Sequence, residues 1–278
     1  MPGLSASCFF DTGTVMIERD SMPHWGGSMP EYLAEFIGTA LLILLGDGVV
    51  AGVLLNKSKA QNAGWIVITT GWAFGVLLAI YSIGRISGGH INPAFTIAVA
   101  SVGAFPWEQV PGYVAAQLAG AFVGALLVWL AYFPHWEETS DPDQKLAVFC
   151  TIPAVRRPAV NMVTEFIGTF VLVFGILAIA DHAQSLKNIS NLDLSQVYSQ
   201  GIQPLLVGIL VWAIGLSLGG PTGYAINPAR DLAPRLAHTL LPIRGPKRDS
   251  DWGYAWVPVL APIAGGIVGA WAYRLTGF

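Results

Sequence analysis

The chain has 278 residues, of which 54% are hydrophobic and only 11% charged, and its mean hydropathy is +0.57. Soluble domains carry about 25% charged residues, so a chain this poor in charge cannot cover itself with polar surface, and membrane lipid is the expected neighbour. A net charge of −3 from 14 Lys+Arg and 17 Asp+Glu lacks the basic excess that nucleic acid demands, and Cys8 and Cys150 stand far apart with no Cys/His cluster, so neither a zinc site nor a disulfide framework is expected.

Residues 1–30 read as a polar tail. They have no Lys or Arg before Arg19, contain Asp11 and lack a continuous apolar core, unlike a cleavable signal peptide. Six apolar stretches follow, at 32–55, 64–83, 109–133, 160–180, 203–218 and 254–275. A hydrocarbon layer about 30 Å thick takes about 20 helical residues, so each stretch is read as a span. An even number of spans leaves both termini on one side. The Lys and Arg residues do not gather on one set of loops, so the positive-inside tendency leaves the orientation open.

The sequence repeats itself. Glu35-Phe36-Ile37-Gly38-Thr39 in the first span recurs as Glu165-Phe166-Ile167-Gly168-Thr169 in the fourth, and Asn92-Pro93-Ala94 recurs as Asn227-Pro228-Ala229. The channel-forming region, 31–278, therefore divides into halves of about 31–133 and 160–278, joined by a polar linker at 134–159. Three spans per half is an odd number, so the second half enters from the opposite side and the repeat is inverted. Each Asn-Pro-Ala follows a glycine-rich turn and opens a segment, 93–102 or 228–240, too short to cross. Asn is a favoured N-cap and Pro suits the first helical position, so each motif predicts a half-helix that dips in and turns back. Such irregular backbone survives at membrane depth only where it lines a wet cavity or is buried in protein.

Paired Asn-Pro-Ala half-helices in an inverted six-span repeat resemble the aquaporin superfamily, and Asn227-Pro228-Ala229-Arg230-Asp231 resembles its glycerol-facilitator branch. The likeness spans about residues 31–276. It implies an all-α membrane protein of six transmembrane helices and two re-entrant half-helices, set as a multi-pass protein in a cell membrane, with short termini and loops that point to a bacterial plasma membrane. By the same resemblance four chains assemble, each with its own pore.

Two half-helices meeting near the midplane place two partly positive N-termini face to face. Asn92 and Asn227 would offer amide donors there to a hydroxyl oxygen, while a proton or metal cation meets a barrier. Gly88, Gly89, His90 and Ile91, and Gly223, Tyr224, Ala225 and Ile226, are expected to run extended and present a ladder of carbonyl acceptors. Arg230 lies in an apolar segment, where a charge normally marks a pathway, with a structural salt bridge as the alternative. The resemblance puts Arg230 at the narrowest point, facing Trp72 from the second span and two positions on the second-half loop, Gly215 and Tyr224. Glycine removes bulk and the aromatic rings receive carbon-hydrogen groups opposite the arginine donors, giving an amphipathic slot. The family pattern has phenylalanine where Tyr224 stands, and the added hydroxyl is expected to make the slot more polar.

Glu35 and Glu165 are acids within spans, where a proton relay is the default suspicion. The resemblance implies instead that each accepts hydrogen bonds from the loop of its own half, with His90 and Asp231 as further braces. Asp47 has no assigned role. The leading expectation is a passive channel for glycerol, water and other small neutral solutes, with dihydroxyacetone, urea and undissociated lactic acid as further candidates. No nucleophile, metal cluster or phosphate loop is apparent, so no enzyme activity, cofactor or metal is expected. The main alternative is a proton-coupled secondary transporter of a small polyol or organic acid; a scaffold with a vestigial pore would show an occluded corner.

Overall fold

The computed structural model describes residues 29–187 and 194–277. The expected tail lies almost wholly outside them, as does Cys8. In chain order the helices are α1 (Met29–Leu54), α2 (Trp65–Ser87), α3 (Pro93–Ser101), α4 (Val110–Ala131), α5 (His135–Glu138), α6 (Pro142–Phe149), α7 (Pro158–Ser185), α8 (Ser195–Val197), α9 (Gln203–Leu218), α10 (Pro228–Leu240) and α11 (Val257–Thr276). No strand occurs among the described residues.

Six helical stretches are long and apolar enough to cross a membrane, and they match the six expected. The fifth is longer than the sequence suggested. It runs Ser195–Leu218 because α8 and a π-helical turn, Tyr198–Ile202, continue directly into α9; the polar residues Ser199, Gln200 and Gln203 had hidden this inner end. The fourth also outruns its expected end, since α7 carries Asp181 and His182 to Ser185.

The helices of each half are held at backbone distance by small residues. A Cβ on Gly120 of α4 would lie 2.1 Å from the Phe36 carbonyl oxygen of α1, and one on Gly265 of α11 would lie 2.2 Å from the Phe166 carbonyl oxygen of α7. Gly124 and Gly269, one turn on, face Ala40 and Phe170 in the same way. Such approaches are the usual basis of helix association in lipid, and here they repeat at matching positions of the two halves.

The half-helices α3 and α10 begin where the Asn-Pro-Ala motifs predict. Asn92 accepts from Ala94 N–H at 2.9 Å, and Asn227 accepts from Ala229 N–H at 3.0 Å. Both are extended residues followed by proline at the first helical position. Each half-helix docks on the opposite half, α3 against α11 and α10 against α4. The linker is folded. Its helices α5 and α6 bury Trp136, Leu146, Val148 and Phe149, and α6 packs on α1 and α10.

Candidate functional site

The loops that lead into the half-helices carry unusual backbone. Gly88, Gly89 and Ile91 have φ of 84°, 67° and 44°, and Gly223, Tyr224 and Ile226 have φ of 85°, 39° and 44°. The ladders are therefore not extended as the sequence reading expects; they turn repeatedly through the left-handed region. A β-branched residue there is an outlier costing about 1–3 kcal/mol, and both isoleucines are bound through their backbone N–H to a buried carboxylate. Glu35 accepts from His90 N–H at 2.9 Å and Ile91 N–H at 2.6 Å. Glu165 accepts from Ala225 N–H and Ile226 N–H, each at 2.9 Å.

Around Glu35 the structure adds residues that sequence reasoning missed. Ser87 Oγ donates to one carboxylate oxygen at 2.7 Å and Gln117 Nε2 to the other at 2.8 Å. Gln117 also donates to Thr96 Oγ1 at 3.0 Å, whose hydroxyl lies 3.1 Å from His90 Nδ1. The His90 ring packs edge-on to Phe95 and Phe105. The available signal was Gln117, a lone amide inside an apolar span.

At the centre the two half-helix N-termini meet. Asn92 Nδ2 donates to the Ile226 carbonyl at 2.9 Å, and Asn227 Nδ2 donates to the Ile91 carbonyl at 2.8 Å. Each amide thus spends one of its two N–H groups locking the opposite loop and keeps one for the passage. The last carbonyl of each ladder is consumed in this cross-brace.

A cavity of about 470 Å³ runs past this junction. One wall carries Gly88 to Asn92 and Tyr224 to Asn227 together with Arg230, and the facing wall carries Leu42, Val76, Ile80, Leu172, Val207 and Val211. Trp72 also lines it, whereas Gly215 and Gly223 do not. Gly223 instead closes a turn, its N–H donating to the Gly219 carbonyl at 2.8 Å. Pro93, Ala94, Pro228 and Ala229 are buried behind the wall and set the helix starts.

The Arg230 guanidinium lies 4.4 Å from the centre of the Trp72 ring, a cation–π contact. Among the described residues it forms no ion pair, which removes the salt-bridge alternative, and its Nη1 has no hydrogen-bond partner. Gly215 corrects the sequence reading in two ways. It lies in α9, not on the loop, and the space it leaves is already filled: a Cβ there would lie 2.9 Å from Tyr224 Cζ and 3.0 Å from Thr69 Cγ2. Trp65, another residue missed, donates to the Gly215 carbonyl at 3.0 Å and meets the Tyr224 ring edge-on at 5.8 Å. The Tyr224 hydroxyl is buried and unpartnered among the described residues, so it does not add the polarity expected of it. Tyr224→Phe should accordingly leave the glycerol-to-water permeability ratio within about twofold while raising stability, since an unpaired buried hydroxyl costs about 1–3 kcal/mol; paired stopped-flow and thermal-unfolding measurements check both.

Asp231 is wholly buried but does not brace its own loop. It accepts from Thr151 N–H at 2.8 Å and Thr151 Oγ1 at 2.6 Å, and from Arg235 Nε at 2.9 Å, tying α10 to the end of the linker. Nearby, outside the spans, Arg156 holds Asp251 by two hydrogen bonds of 2.7 Å. This pairing keeps the Asp251 carboxyl below the usual aspartate range, against the opposing effect of partial burial. Because folding lowers the pKa, the pair stabilises the fold above the ordinary aspartate range, and that contribution disappears as pH falls through the folded value. Asp251→Asn should therefore lose less unfolding temperature than the wild type between about pH 6 and about pH 3.

A family model described as "Major intrinsic protein" matches residues 24–273. The chain is 62% identical over 246 residues to a "Probable glycerol uptake facilitator protein" of Thermotoga maritima, covering 88% of this chain and 99% of that one. It is 53% identical over 246 residues to the "Glycerol uptake facilitator protein" of Bacillus subtilis, covering 88% and 84%. Among solved structures, the aquaglyceroporin from Plasmodium falciparum aligns with a TM-score of 0.75 at 28% identity, covering 89% of this chain and 96% of that one. With the six spans, the two docked half-helices and the lined passage between them, these similarities establish that the chain belongs to the major intrinsic protein family and is a multi-pass membrane protein.

Proposed function

We propose that this protein is a passive channel for glycerol that also passes water and other small neutral solutes. The observation that carries the reading is the two-faced passage. One wall offers carbonyl acceptors, one free N–H from each of Asn92 and Asn227, and the Arg230 guanidinium; the other is aliphatic, with Trp72 at the arginine end. Glycerol carries hydroxyls along one edge and carbon-bound hydrogens along the other, so it loses its hydration shell against a wall that replaces each lost hydrogen bond. Ions and hydronium have no such replacement. They meet the positive ends of α3 and α10 and the arginine charge in a low-dielectric surround.

Glu35 and Glu165 act here as loop anchors. All four carboxylate oxygens accept hydrogen bonds from loop N–H groups or neighbouring side chains, which leaves no free site for a travelling proton and favours a channel over a proton-coupled transporter. No covalent step is involved. Four chains would assemble through the apolar outer faces, each retaining its own passage.

Proteoliposomes in an outward glycerol gradient, followed by light scattering, test the reading. Rapid glycerol entry unaffected by an imposed proton gradient is expected; entry that tracks the proton gradient would replace the channel with a coupled transporter. Dihydroxyacetone, urea and lactic acid at low pH, run in the same vesicles, rank the further solutes.

A further inference from the structure

Nearly every buried charge in the described residues has a partner. Glu35 and Glu165 are bound by loop N–H groups, Asp231 pairs with Arg235 at 2.8 Å, Asp251 pairs with Arg156, and Lys145 donates to the Arg244 and Pro246 carbonyls. Two remain, and they are of opposite sign. Asp47 of α1 is fully buried, and neither of its carboxylate oxygens has a hydrogen-bond partner among the described residues; the Nη1 of Arg230 is buried and unpartnered as well.

The fold brings these two into one neighbourhood. Gly46, the residue before Asp47, is where α1 meets Trp72: a Cβ on Gly46 would lie 2.3 Å from that ring. Arg230 lies over the same ring. The charges that reach Asp47 are Arg230, attractive, and Asp231, repulsive, and Asp231 is already matched by Arg235. The Arg230 charge also reaches Glu165, but the oxygens of Glu165 are held by Ala225 and Ile226. An uncompensated charge at membrane depth is costly and normally marks function, and a buried charge is retained when an opposite one offsets it.

We propose that Asp47 is a positioning residue, the buried counter-charge of Arg230, which draws the guanidinium against Trp72 and away from the passage and thereby sets the width available to solutes larger than water. This rests on reading the passage as the glycerol route. Without the carboxylate the guanidinium is free to swing into the passage, where a polyol is obstructed more than water.

A mutant cycle tests it. Asp47→Asn, isosteric and uncharged, should lower the glycerol-to-water permeability ratio by about threefold or more in the wild-type background, the scale on which contacting residues couple. In an Arg230→Gln background the same substitution should leave the ratio unchanged. A fall of equal size in both backgrounds, or no fall in the first, overturns the proposal. Stability supplies a reading that needs no flux: Arg230→Gln strands the Asp47 charge, so the double variant should unfold at a higher temperature than Arg230→Gln alone. This comparison decides the matter even if Asp47→Asn by itself does not fold, and a double variant that is no more stable, or is unfolded, overturns the proposal. Wild-type vesicles without glycerol flux would sink the channel reading instead, leaving the stability comparison to judge Asp47 independently.

Discussion

Glu165→Ala should eliminate glycerol flux and cost about 2–6 kcal/mol of stability, because it strands two buried backbone donors at about 1–3 kcal/mol each. The donors are Ala225 N–H and Ile226 N–H, both 2.9 Å from the carboxylate. Their loop holds Tyr224 and Ile226 at φ of 39° and 44°, conformations that persist only when the surroundings over-determine them. Released, the loop relaxes, the Ile226 carbonyl leaves Asn92, and the cross-brace between the half-helices opens. Glu165→Gln keeps one acceptor oxygen and should retain part of both stability and flux. Thermal unfolding in detergent and stopped-flow swelling read the two effects, and near-wild-type flux in the alanine variant would show that the loop holds its shape without the carboxylate.

The second large effect is expected from one added methyl group. Gly215→Ala places a Cβ 2.9 Å from Tyr224 Cζ and 3.0 Å from Thr69 Cγ2. The ring cannot retreat along α9, since a Cβ on Gly219 would already lie 2.5 Å from Tyr224 Cδ1, and Trp65 bounds its other side. It must move toward the passage that Arg230 and Trp72 line. Overpacking of this kind costs about 1–3 kcal/mol, and about 1.4 kcal/mol added to the barrier for glycerol is about a tenfold fall in its rate. Water, being smaller, should lose much less. Adding Tyr224→Ala to Gly215→Ala removes the displaced ring and should restore glycerol entry; failure to restore it would show that Gly215 acts through α9 packing, not through Tyr224.

The buried residues show how far composition and pattern reach. Two copies of Glu-Phe-Ile-Gly-Thr and of Asn-Pro-Ala suffice to read two inverted halves, six spans and two half-helices, because capping, span length and strand-free apolar runs are local properties of the chain. The same local rules placed the starts of α3 and α10 at Pro93 and Pro228. They misjudged the inner end of the fifth span, where polar residues sit in a helix that tertiary packing completes, and they read the linker as loop although Trp136 and Phe149 bury it against the bundle. Gln117, Ser87, Thr151 and Trp65 were invisible as site residues, since each acts through a partner distant in sequence.

What the sequence by itself determined is the kind of molecule: too few charges for water on all sides, spans of membrane length, and two helix starts that face each other across a repeat. Tertiary structure alone decided how the passage is shaped. It turned the ladders left-handed under the two glutamates, spent one N–H of each asparagine on the opposite loop, laid Tyr224 over Gly215, and left Asp47 and Arg230 as the unmatched buried charges. The physical reason is range: helix capping and hydrophobicity act between near neighbours along the chain, whereas burial, charge pairing and the filling of space are settled only when segments far apart in sequence come into contact.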